Sequence, residues 1–210
     1  MHNGVNEFTL REEVWHAITH GVGFALSIAG LVVLVIYSNS TISITSSAIF
    51  GAALITLYAS STLYHAIKHI KLKKVLQVFD HISIYLLIAG SYTPITLLVL
   101  QGTWGWSIFA VVWSLAALGI ILKILYPNRF ETFSLILYVI MGWTIVVALN
   151  PLFENMTSEG LWLLLLGGLS YTFGVIFYVW DKLPYNHAIW HIFVLVGSLF
   201  HYFMVLFYVI

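Results

Sequence analysis

The sequence predicts an all-α, polytopic membrane protein: a bundle of seven transmembrane helices, with the N-terminus in the cytoplasm and the C-terminus outside. Of its 210 residues, 61% are hydrophobic and only 8% are charged, and the mean hydropathy is +0.99. This composition lies outside the range of soluble globular domains. Apolar runs of about 18–22 residues recur along the chain, long enough to cross a hydrocarbon core of about 30 Å. All eight Lys and Arg residues fall between these runs or at their ends.

The apolar runs place the seven predicted spans in order along the chain. We expect them at about 17–37, 45–67, 79–100, 105–126, 132–149, 160–180 and 187–209. Thr9 and Glu12 fit a capping box, which would start a short interfacial helix over about 9–16. Gly23 and Gly51 would let neighbouring helices approach closely. We therefore expect a single transmembrane domain over residues 1–210, without a separate soluble domain.

The basic residues decide the predicted orientation. With seven spans, every one of them falls at the same end of the bundle: Arg11, Lys68, Lys71, Lys73, Lys74, Lys123, Arg129 and Lys182. The opposite end carries Glu154 and Glu159 and no basic residue. The positive-inside rule places the basic end in the cytoplasm.

Five polar side chains from distant parts of the sequence fall at one depth near this end. His187 and His191 lie four residues apart at the start of the seventh span, so both imidazoles can point at the same atom. Ser61 and His65 lie near the end of the second span, and Asp80 lies near the start of the third. Placing polar or ionisable side chains inside a membrane costs free energy. Three histidines and a carboxylate at one depth are typical of a catalytic zinc site, in which three protein ligands leave the fourth position to water.

Each of these residues alone has a simpler interpretation. A lone membrane histidine such as His65 is more often satisfied by an interhelical hydrogen bond. For His187 and His191 taken by themselves, metal binding and packing are equally favoured interpretations. Asp80 could pair with Lys73 or Lys74. Their coincidence at one depth favours the metal site. The ligands would not be thiolates, because the sequence has no cysteine.

Three other histidines compete for the role. His16 and His20 have the same four-residue spacing and could form a second site or contact the first one, although a polar interfacial helix is the interpretation we favour. His201 lies about 15 Å deeper than His191 and cannot share a metal with it. We expect His201 to make an interhelical hydrogen bond.

These motifs together resemble the hemolysin III family, the bacterial branch of the progestin and adipoQ receptor superfamily. The resemblance extends from about residue 10 to 208, and its motifs are Glu13-x2-His16-x3-His20-Gly21, Ser61-x3-His65, Asp80 followed by Ala89-Gly90-Ser91-Tyr92-Thr93-Pro94, and His187-x3-His191. It implies a seven-helix bundle that holds Zn²⁺ with His65, His187 and His191 near the cytoplasmic side. It further implies that Asp80 holds a water molecule at the metal, with Ser61 beside it.

Three functions are compatible with this sequence. The first is a zinc-dependent hydrolase of a membrane lipid amide or ester that serves membrane homeostasis, with Asp80 as general base and Ser61 as a hydrogen-bond donor. The second is a non-catalytic receptor or sensor of membrane state with structural zinc. The third is hemolysin-like, cytolytic pore formation, although the spans carry too few polar residues to line a wide pore.

The expected partner is a membrane lipid, as substrate or ligand, and the expected location is the bacterial inner (plasma) membrane. The formal net charge of zero gives no sign of nucleic-acid binding, and the sequence contains no nucleotide-binding motif.

Overall fold

The computed structural model describes residues 8–127 and 129–210, and all regular structure in these residues is helical. Seven helices are long and apolar enough to cross a membrane: α1 (Leu10–Tyr37), α2 (Thr41–Ala66), α3 (Ile70–Leu100), α4 (Gly102–Leu125), α5 (Glu131–Asn155), α6 (Ser158–Tyr178) and α7 (Asn186–Tyr208). This confirms the all-α class and the number of spans.

Two helices begin well before their apolar runs. In α1, Thr9 accepts a hydrogen bond from the Glu12 amide, and the Glu12 carboxylate accepts one from the Thr9 amide. This capping box starts one helix that runs unbroken to Tyr37, so the segment expected at 9–16 is the first part of α1. In α3, His69 caps the helix start by accepting from the Leu72 amide at 3.4 Å.

Two of the helices, α3 and α5, change geometry along their length. The α-helical part of α3 ends at Pro94, which has no amide hydrogen to donate, and continues as a π-helix over Ile95–Leu100. Thr93 and Thr96 donate their hydroxyls to carbonyls one turn earlier. In α5, a 3₁₀ segment covers Thr144–Ala148.

The most buried of the seven helices are α3 and α2. The most extensive contacts join α1 with α2, α6 with α7 and α2 with α3, and α1 also packs on α7. A Cβ on Gly23 would lie 2.6 Å from the Tyr58 ring, and one on Gly51 would lie 2.5 Å from Leu31. Small residues thus set the close approach of α1 and α2, as expected. This packing brings the N-terminal part of α1 against the end of α2 and the start of α7.

Candidate metal centre

Three histidines from α2 and α7 meet at the end of the bundle where the basic connections lie. His65, His187 and His191 each offer a ring nitrogen, and these atoms all lie within 4.8 Å of one another. His65 is in the last turn of α2, and the other two are in the first turns of α7, on one face. A zinc ion with ligand bonds of about 2.0–2.1 Å needs nitrogens roughly 3.3 Å apart, which small ring movements would provide. The three residues therefore fit a single cation.

The ring of His65 is held by Glu13. The Nδ1 of His65 lies 2.7 Å from Oε2 of Glu13, and the other oxygen of this carboxylate accepts a hydrogen bond of 2.7 Å from Nζ of Lys73. Nε2 of His65 is buried and has no partner among the described residues. A ring that donates from one nitrogen to a carboxylate presents the other to a metal, as metal-binding histidines commonly do.

The ring of His191 is oriented in the same way. Its Nδ1 lies 3.2 Å from Oγ1 of Thr19 and 3.3 Å from the carbonyl oxygen of His16. A carbonyl only accepts, and the Thr19 hydroxyl already donates to carbonyls of its own helix, so Nδ1 is the protonated nitrogen. This leaves the lone pair on Nε2 free for a cation.

Asp80 and Ser61 lie beside this group. Both are buried and line the same cavity as His187 and His191. The Ser61 hydroxyl faces the Asp80 carboxyl, but no hydrogen bond of normal length and angle joins them. The alternative in which Asp80 pairs with a lysine is wrong: Lys73 pairs with Glu13, Lys74 is exposed, and within 8–127 and 129–210 Asp80 makes no ion pair.

His16 and His20 lie inside the cluster, so the interpretation of a polar interfacial helix is wrong for these two side chains. His16 is 0% exposed and His20 is 3% exposed. The His20 ring stacks on that of His191, with centroids 3.5 Å apart and an interplanar angle of 11°. All four ring nitrogens of His16 and His20 lack a hydrogen-bond partner in the part of the chain that is described.

Glu13, His16 and His65 form a second group whose ligand atoms lie within 4.8 Å of one another. A separate cation there is unfavourable. The 2.7 Å contact of Glu13 with His65 is a hydrogen-bond distance, whereas two ligands of one zinc ion lie roughly 3.3 Å apart. The ammonium group of Lys73, also 2.7 Å from Glu13, would repel the ion.

A cavity extends from the histidine cluster into the bundle. It holds about 1210 Å³ of empty space, its open mouth included, between α1, α2, α3, α5, α6 and α7. His187 and His201 both line it and lie 14 residues apart on α7, so it runs for about 21 Å along the helix. Its middle is mostly apolar, with Leu87, Ile88 and Val194 among the lining residues. At the far end, His201 contacts the Leu164 carbonyl of α6 at 3.3 Å, the expected interhelical hydrogen bond.

The fold and this site define a class: polytopic membrane proteins with a cluster of buried histidines at one end of a seven-helix bundle. The chain belongs to the Haemolysin-III related family, whose sequence profile matches residues 8–202. The resemblance noted from the motifs is thereby confirmed.

Named relatives cover nearly the whole chain. Hemolysin-3 of Bacillus cereus is 48% identical over 204 residues, which is 96% of this chain and 93% of that protein. The Hemolysin-3 homolog of Bacillus subtilis is also 48% identical over 204 residues, 96% of each chain. The human Monocyte to macrophage differentiation factor is 31% identical over 212 residues, 97% of this chain and 87% of that protein. The family to which the chain belongs and its seven apolar helices identify it as a multi-pass protein of the bacterial inner (plasma) membrane.

Proposed function

We propose that the protein is a zinc-dependent hydrolase of a membrane lipid amide or ester, with His65, His187 and His191 as the metal ligands. The proposal is supported most directly by the positions of these histidines relative to Asp80 and to the cavity. Three imidazoles that can converge on one cation, two of them buried and that of His187 half-buried, lie at the end of a long apolar cavity. They lie next to the Asp80 carboxylate, which has no ion-pair partner among the described residues. A site of this kind combines a Lewis acid, a base and space for a hydrocarbon chain.

The buried residues divide the chemistry between them. Bound Zn²⁺ would polarise a substrate carbonyl and lower the pKa of water to about 7. The Asp80 carboxylate, facing the same cavity, would take the proton from the attacking water and return it to the departing amine or alcohol. The Ser61 hydroxyl is buried, has no hydrogen-bond partner in the described part of the chain, and would donate a hydrogen bond to the developing oxyanion. Burial of His65, His191 and Asp80 would limit the access of bulk water to these steps.

The shape of the cavity indicates the class of substrate. Its length of about 21 Å exceeds the roughly 15 Å occupied by one leaflet of a hydrocarbon core of about 30 Å. An extended acyl chain would therefore fit along α7, its carbonyl beside Asp80 and its tail toward His201. With the basic connections in the cytoplasm, the reacting group would lie in the inner leaflet.

The second candidate is a sensor of membrane state with structural zinc. It is supported by the hydrogen bonds that tie α1 to α2 through Glu13 and His65, and α1 to α7 through Thr19 and His191. In this case a lipid in the cavity would shift a conformational equilibrium without being cleaved. The name Hemolysin-3 of the Bacillus cereus relative raises lysis as a third candidate. The mostly apolar cavity does not favour it, because a water-filled pore needs polar walls.

A lipid-hydrolysis assay distinguishes these candidates. Purified protein in lipid nanodiscs would be mixed with N-acyl and O-acyl lipids, and released fatty acid would be measured by mass spectrometry, with zinc content measured in parallel. We expect zinc-dependent release of fatty acid by the wild type, and loss of both zinc and release in His187→Ala. The matched control is His69→Asn, which keeps a capping side chain at the start of α3.

The outcomes separate the two parts of the proposal. Full zinc in His187→Ala would refute the ligand assignment. Zinc binding without turnover of any lipid in the panel would favour the sensor.

A further inference from the structure

A fourth histidine has a position that the three-histidine site does not explain. The ring centroid of His16 lies 4.6 Å from that of His65, 4.9 Å from that of His187 and 5.5 Å from that of His191. The centroids of those three rings lie 4.6–5.2 Å from one another. The four rings therefore form a nearly regular tetrahedron. Four imidazoles around one zinc ion, each bonded at about 2.0–2.1 Å, have centroids about 5 Å apart.

The ring nitrogens of His16 also indicate that a ligand binds there. A neutral imidazole has one donor and one acceptor nitrogen, and both nitrogens of His16 are buried without a partner among the described residues. A buried polar group in this state destabilises the fold unless something binds to it. Phe8 packs edge-on against the ring, with centroids 4.7 Å apart, and covers part of it with an apolar surface. A cation between the rings would satisfy one nitrogen of His16.

The backbone holds His16 close to the other ligands. Its carbonyl oxygen accepts from Nδ1 of His191, so the start of α1 and the start of α7 are joined at this residue. In the structure a nitrogen of His16 lies within 4.8 Å of ligand atoms of Glu13 and His65. Rotation of the ring about χ2, a broad torsion in histidine, would turn a nitrogen toward the centre of the tetrahedron.

His20 is not an equivalent candidate, although it lies one turn further along α1. Its ring is stacked face to face on that of His191, at an interplanar angle of 11°. Two imidazoles on one tetrahedral ion diverge from it and cannot stack in parallel at 3.5 Å. His20 is therefore the natural control for His16.

We propose that His16 is a fourth imidazole ligand of the cation held by His65, His187 and His191. This inference rests on the zinc site of the proposed function and extends it. His187, His191 and Asp80 line the cavity, whereas His16 does not. Coordination by His16 therefore leaves the cavity side of the ion accessible, and zinc can expand to five-coordination. The site can hold four imidazoles and still accept water or a carbonyl oxygen from the cavity.

The test counts ligands and does not depend on activity. X-ray absorption spectroscopy of the zinc-loaded wild type, His16→Asn and His20→Asn would give the number of imidazoles bound to the metal. The visible spectrum of the Co²⁺ form and competition with a chromophoric chelator would give geometry and affinity. His16→Gln, closer in size to histidine, is a second variant in case His16→Asn does not fold.

We expect four imidazoles in the wild type and in His20→Asn, and three in the His16 variants, with zinc affinity weakened by roughly tenfold or more. Three imidazoles in the wild type would overturn the role of His16 and leave the three-histidine site intact. Four imidazoles in both the wild type and the His16 variants would likewise overturn the role of His16 and leave the three-histidine site intact. A wild type that binds no zinc would overturn the proposed function as well.

Discussion

Glu13 and His65 are 52 residues apart in the sequence and are joined by a 2.7 Å hydrogen bond between the Glu13 carboxylate and Nδ1 of the imidazole. The bond connects the first turn of α1 with the last turn of α2. The same carboxylate accepts from Lys73, whose ammonium group also donates to the Tyr64 carbonyl. One carboxylate thus fixes the orientation of His65 and neutralises a buried lysine.

Glu13→Gln is expected to weaken zinc binding about 10–100-fold, because a neutral amide holds the His65 ring less firmly and makes it a poorer donor to the metal. The measurement is chelator competition on folded, detergent-purified protein. Glu12→Gln, at the adjacent position in the capping box, is the control and should retain wild-type affinity. Equal affinities in the two variants would show that Glu13 does not act through His65.

Asp80→Asn is expected to keep its zinc and to lose lipid hydrolysis by about 10²–10⁴-fold, because an amide cannot accept the proton of the attacking water. Zinc content and the rate of fatty-acid release would be measured on the same preparation. Ser61→Ala, which removes only a hydrogen-bond donor, should lose less, roughly 10²–10³-fold. Unchanged turnover in Asp80→Asn would exclude a general base at this position.

Val194→Trp is expected to discriminate between acyl chains by length. Val194 is buried on α7 and lines the middle of the cavity, so an indole there would block long chains and leave space for short ones. The measurement is the ratio of kcat/KM for long-chain and short-chain substrates. The control is Val196→Trp. Val196 lies two residues further along α7 and is exposed, so this variant should leave the ratio unchanged. Equal loss for all chain lengths would argue against the acyl chain lying in this cavity.

Gly23→Ala is expected to destabilise the protein by about 1–3 kcal/mol, because the added methyl group would lie 2.6 Å from the Tyr58 ring. Tyr58 cannot move freely, since its hydroxyl donates to Ser198 of α7 at 2.8 Å. Thermal unfolding in detergent would measure the effect. In Gly142→Ala the new methyl group has no atom within 4 Å, so this helical control should be neutral or slightly stabilising.

The sequence allowed the seven helices and the grouping of His65, His187 and His191 to be predicted, because both follow from local patterns. Apolar runs report the spans, and the four-residue spacing places two imidazoles on one face. The start of α3 was less apparent. Its first turns carry Lys71, Lys73 and Lys74, which lower the hydropathy without preventing a helix.

The environment of the cluster could not be predicted in this way, since it depends on how α1 packs. His16 and His20 share their helix with Val14 and Ile18, which are about half exposed. The interpretation as a polar interfacial helix placed both histidines outside the bundle, whereas in a membrane protein the apolar face of a helix is the outer one and the polar face lies inside. The partner of Glu13 also depends on contacts between helices that are distant in sequence.

The contact between Thr19 and His191 spans 172 residues of chain. Ribosomes make a protein from its N-terminus, so α7 is synthesised after the six helices that precede it. A growing chain that has not reached residue 187 contains His16, His20 and His65 but lacks the pair that completes the cluster. The site is thus assembled only after α7 has been made and has docked against α1.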